Sequence, residues 1–164
     1  MLKHITQTLV QFALLVVSAT SSAAEGISII NLIASPTEYN NKVVQFVGYA
    51  AFEFESNAVW LSKESQEIGD TKNAIWVNIW DSPYNHSLHK DLHERKEKLW
   101  VECFDKRHIS IEGTFNKENK GHRGVYLGGL EHITRIMLRE RNVSFAEHDK
   151  CSKAIPVMSI EWDK

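Results

Sequence analysis

Residues 43–55, VVQFVGYAAFEFE, set Val44, Phe46, Gly48, Ala50, Phe52 and Phe54 at every second position. A two-residue period sends alternate side chains to one face, which suits a strand with one side buried and does not suit a helix. Gly48 in the middle predicts a bulge or sharp bend of the kind curved barrels need. Alternation returns in AVWLS (Ala58 to Ser62) after a turn at Ser56-Asn57, which makes a hairpin. It returns again in AIWVNIW, where Ile75, Val77 and Ile79 oppose Trp76, Asn78 and Trp80. RHISIEGTF (Arg107 to Phe115) and GVYLGGLEHITRI (Gly124 to Ile136) supply a fourth and a fifth strand.

Two stretches follow a helical period instead. Ile29, Ile30, Leu32 and Ile33 form a short helix that Ser35-Pro36 stops, with a turn at Asn40-Asn41 before the first strand. In DSPYNHSLHKDLHERKEKLW, Ser82 caps and Pro83 suits the first helical position. Tyr84, Leu88, Leu92 and Leu99 then fall within about 80° on a helical wheel. The order is helix, three strands, helix, two strands. A mainly β chain with two short helices, one of them between the third and fourth of five strands, has the layout of an OB-like Greek-key barrel.

The segments SPTEYNNKVVQFVGYAAFEFESNAVWLSKES, TKNAIWV and HISIEGTFNKENKGHRGVYLGGLEHITRI, spanning residues 28–136, resemble exported bacterial OB-fold-like domains of unassigned function. The resemblance implies the same barrel and carries no catalytic residues over.

The chain has 164 residues, enough for one domain with a proper core. Its start has the plan of a secretory signal peptide: Lys3, the apolar run LVQFALLVVSA, then small residues to Ala24. The run is about half the roughly 20 residues a membrane-spanning helix needs. The expected division is a signal peptide over 1–24, an OB-like barrel over 25–141 and a C-terminal extension over 142–164 packed on it. That extension includes one short extra strand near Val157 to Trp162. The protein is thus expected to be exported, periplasmic or secreted, with no membrane span after cleavage.

Cys103 and Cys151 are the two cysteines of the chain, and an oxidising compartment favours their pairing. Such a bond would contribute roughly 4 kcal/mol in the chain-entropy model. The alternative is two separate buried thiols. Charge argues against nucleic acid, since the net charge is −2 with His neutral and a nucleic-acid binder is usually basic.

Four features carry candidate chemistry. The stretch NKENKGHRGVYLGG (Asn116 to Gly129) is glycine-rich but lacks the G-x-x-x-x-G-K-[ST] order and the following helix of a phosphate loop. It reads as a hairpin connection in which Gly121 and Gly124 take angles that other residues avoid. Because OB folds use this connection for ligands, Lys117, Lys120, His122 and Arg123 are candidate contacts for an anionic group. Trp60, Trp76 and Trp80 fall on the second and third strands, the face on which OB folds stack rings, against a competing reading as core.

His86, His89 and His93 lie on the water-facing side of the second helix, and HKDLH has Lys90 where a zincin carries its glutamate. No metal site or cofactor is expected from them. No G-x-S-x-G elbow occurs. The expectation is an exported, non-catalytic binding domain for a protein or cell-envelope component, inhibitory or immunity-like in one version. The alternatives are an oligosaccharide-binding module using Trp60, Trp76 and Trp80, and a small metal-dependent hydrolase.

Overall fold

The computed structural model describes residues 24–53, 56–78, 98–140 and 144–152, without the side chains of His148 and Ser152. Residues 1–23 of the expected signal peptide, Trp80, the histidines at 86, 89 and 93, and the strand expected near Val157 lie outside the described residues.

The chain is mainly β, and five strands close into a mixed barrel. A two-residue strand β1 (Glu25–Gly26) precedes helices α1 (Ile29–Ala34) and α2 (Pro36–Tyr39). The barrel strands are β2 (Val43–Glu53), β3 (Ser56–Trp60), β4 (Ala74–Val77), β5 (Arg107–Asn116) and β6 (Gly128–Leu138). Helix α3 (Lys63–Glu67) follows β3, a helix whose described part is 98–104 (α4) precedes β5, and α5 is Phe145–Ser152. Neighbours around the barrel run β2-β3-β4-β6-β5 and back to β2. All these pairings are antiparallel except β4 with β6, which is parallel with Ile75 opposite Gly128 and Val77 opposite Leu130. The strand order and the helix between the third and fourth barrel strands are those expected of an OB-like barrel.

Alternation decides what fills it. Val44, Phe46, Ala50, Val59, Ile75, Val77, Ile109, Ile111, Phe115 and Leu130 are all buried in one cluster. Trp100, Cys103 and Phe104 of α4, spaced as one helical face, join the same core. So do Ile29 and Leu32 of α1, where Ser28 caps the helix by accepting from the Ile30 N–H.

Several local expectations change. Glu53 pairs with Ser56, so Ser56 and Asn57 belong to β3 and are not the turn expected there. No bulge marks Gly48. A Cβ there would run into a Val59 methyl and stand 2.7 Å from the Trp60 carbonyl, so glycine is needed where the end of β3 comes close to β2. A register shift occurs between β5 and β6 instead: Glu112 pairs with Arg135 and Thr114 with Glu131, so the extra residues lie in β6, where His132 takes φ +46°. Gly124–Leu127 do not begin the last strand, which starts at Gly128; the side chains of Val125 and Tyr126 join a separate cluster described below. The weakly periodic C-terminal stretch contains α5, whose Glu147 N–H is capped by the Ser144 hydroxyl at 3.2 Å.

Cys103 of α4 and Cys151 of α5 stand at disulfide distance, with Cα atoms 5.6 Å apart. No helix among the described residues is long and apolar enough to cross a membrane.

Candidate functional site

The outer surface of β2, β3 and β4 carries a second apolar cluster, separate from the barrel interior: Tyr49, Ala51, Ala58, Trp60, Ala74 and Tyr126, with Trp76 and Val125 against it. Its origin lies in the strand period. Trp60 pairs across with Tyr49 and Ala74, and Ala58 with Trp76, so bulky rings alternate with alanines that leave room for one more ring. Tyr126 supplies that ring from the β5–β6 loop. Its centroid is 6.2 Å from that of Trp60 and 5.4 Å from that of Trp76, within the range of favourable aromatic pairs. Its hydroxyl shares a 2.9 Å hydrogen bond with Ser56 Oγ.

The loop is built to lie down on this face. Asn119 donates to Glu131 Oε1 at 2.7 Å, and its own side-chain oxygen accepts from the Gly121 N–H at 3.2 Å. Asn116 donates to the same Glu131 oxygen at 3.1 Å. The Tyr126 N–H bonds the Lys120 carbonyl and the Leu127 N–H bonds the Ala74 carbonyl. Gly121 has φ +63°, and a Cβ on it would stand 2.5 Å from the Trp76 indole. Gly124, at φ +67°, also needs the left-handed region. Arg123 takes φ +65° without being a glycine.

Trp60 is 3% exposed and its Nε1 has no hydrogen-bond partner. Trp76 is half-buried beneath Gly121. On the outside of the loop Lys120, His122 and Arg123 are exposed and Lys117 is half-buried, its ammonium 3.2 Å from Glu118. The structure therefore stacks two sets of candidate residues in one place, with the tryptophans underneath and the basic loop above them. Burial is also the main reason the Tyr49 phenol is held above its ordinary value.

Sequence reasoning missed Tyr126, Ser56, Asn119 and Glu131. The available signal was the apolar pair Val125-Tyr126 inside an otherwise charged loop. Among the described residues no group of three or more His, Cys, Asp or Glu side chains gathers as a metal site.

A second charged constellation joins the barrel to α5. Arg107, at the start of β5, donates from Nε and Nη2 to Glu140 Oε2 at 2.9 and 2.7 Å and from Nη1 to Glu147 of α5. The Arg107 hydrogen bonds hold the Glu140 carboxyl below its ordinary value.

No family model, curated protein or solved structure matches this chain.

Proposed function

We propose that this protein is an exported, non-catalytic binding domain that engages the acidic surface of another envelope protein through its β5–β6 loop. One observation carries the reading: Tyr126 occupies the ring-stacking face of the barrel, so the surface left for a partner is the outside of the loop, where Lys120, His122 and Arg123 stand. The stapling of Asn119 and Asn116 to Glu131 supports it, because a rigid loop presents its charges with little ordering cost on binding. An inhibitory or immunity-like role fits a domain that binds by surface complementarity alone. Oligosaccharide stacking on Trp60 and Trp76 would require the loop to leave. Export rests on the N-terminal signal pattern and on the cysteine pair, which suits an oxidising compartment.

The test is chemical cross-linking in envelope fractions with the wild type and with Lys120→Glu/Arg123→Glu, circular dichroism serving as the control for folding. The expected result is a captured protein whose affinity falls about tenfold or more with the variant, and less steeply at high salt. Equal capture by both, or binding to envelope glycans with no protein captured, would sink the reading.

A further inference from the structure

Helix α5 is attached to the domain by an unusual balance of forces. Among its described side chains Cys151 is buried, whereas Phe145 is 89% exposed, Ala146, Asp149 and Lys150 are exposed, and Glu147 is half-buried. The helix therefore brings almost no apolar surface to the barrel. Ion pairs add to the attachment: Arg107 with Glu147, and Lys150 with Glu102 at 3.1 Å. The Lys150–Glu102 pair is open to water and contributes little net stability, while the Arg107–Glu147 pair is half-buried, and both weaken with salt. Eight residues are also too few to hold a helix on their own in water. Among the described side chains of α5, the one buried anchor is Cys151, covalently linked to Cys103.

The barrel stands differently. Phe46, Ile75, Ile109, Ile111, Phe115 and Leu130 are fully buried side chains supplied by β2, β4, β5 and β6 themselves.

We propose that the Cys103–Cys151 pair is a redox latch: oxidised, it docks α5 against α4 and β6; reduced, it releases α5 while the barrel stays folded. The reductant is a dithiol. One of its thiolates attacks a sulfur of the pair, the Sγ–Sγ bond breaks and a mixed disulfide forms. Its second thiolate then displaces the protein sulfur. The reductant leaves as a disulfide, and Cys103 and Cys151 have gained two electrons and two protons as thiols. Both residues are buried, 1% and 4% exposed, so attack waits on a local opening of α5 that the ion pairs oppose. Release uncovers Cys103, which shares one buried cluster with Cys151.

Hydrogen exchange read by mass spectrometry, with and without dithiothreitol, tests the latch in the full chain. Amides of residues 146–151 are expected to exchange about 100-fold faster after reduction, while those of β2 and β5 keep their protection. Cys103→Ser/Cys151→Ser should behave as the reduced protein. The latch is overturned if α5 stays protected in the reduced protein or in the double variant, or if β2 and β5 lose protection together with it. The rate of reduction gives an independent reading: Glu147→Gln and added salt should each raise it several-fold, and an unchanged rate would show that opening of α5 does not gate the bond.

Discussion

Gly121 and Gly69 both have positive φ, +63° and +69°, yet different surroundings. A Cβ at Gly69 meets nothing within 4 Å, whereas one at Gly121 runs into the Trp76 indole. Gly121 thus adds a steric clash to a backbone, φ +63° and ψ −165°, that only glycine adopts readily. Gly69→Ala is expected to lose about 1 kcal/mol from the left-handed conformation alone. Gly121→Ala should lose about 2–4 kcal/mol, because the loop must also move off the ring. Urea midpoints for the two variants check the ordering, and equal losses would mean that the loop does not bear on Trp76. Glu131 works at the same scale. Its carboxylate holds two asparagine side chains, Asn116 and Asn119, and so fixes both ends of the turn that leads to Gly121.

At the scale of elements, the β5–β6 loop acts as a sixth piece of the outer surface. Tyr126→Phe removes the hydrogen bond to Ser56 and should cost about 1 kcal/mol with the loop still in place. Tyr126→Ala removes the ring itself, and Trp60 and Trp76 should then become accessible. The measurement is acrylamide quenching of tryptophan fluorescence, expected to rise for Tyr126→Ala and to stay near wild type for Tyr126→Phe. Quenching unchanged in the alanine variant would show that the ring does not shield the indoles.

The barrel itself was legible because alternation is a local property. Val44, Phe46, Ala50 and Phe52 face inward where the two-residue period puts them, and Ile75 and Val77 do the same. The loop was only half legible. The angles at Gly121 and Gly124 follow from glycine chemistry, but the packing of Tyr126 on Trp60 joins residues 66 positions apart, and no local period carries that. Gly48 shows the same limit: its presence signalled a special backbone site, while its cause, the close approach of Val59 and the Trp60 carbonyl, is a contact between strands. α5 escaped notice because a helix held by one cysteine and ion pairs has no apolar stripe to read.

On the scale of the whole molecule, stability should depend on acid through Arg107 and Glu140. The Glu140 carboxyl titrates below its ordinary 4.5 in the folded protein, first because Arg107 hydrogen-bonds to it. A group depressed on folding binds its proton more readily when unfolded, so its contribution is full above pH 4.5 and disappears as pH falls through the folded value. Urea unfolding of the oxidised protein at pH 7 and pH 3 measures the loss, and Glu140→Gln should shrink the difference between the two. A variant that loses stability in acid as steeply as wild type would assign the effect to other carboxylates.

The parallel pairing of β4 with β6 also orders events in time. A ribosome delivers the chain from its N-terminus, and Ala74–Val77 finds its β6 partner only when residues 128–130 have emerged. For the fifty or so residues made in between, Ile75 and Val77 have no β6 to cover them and one edge of β4 is open. Contacts so distant along the chain also form slowly. A holdase that binds extended apolar segments would therefore meet its best target in this interval, and would have to let go before the last strand could shut the barrel.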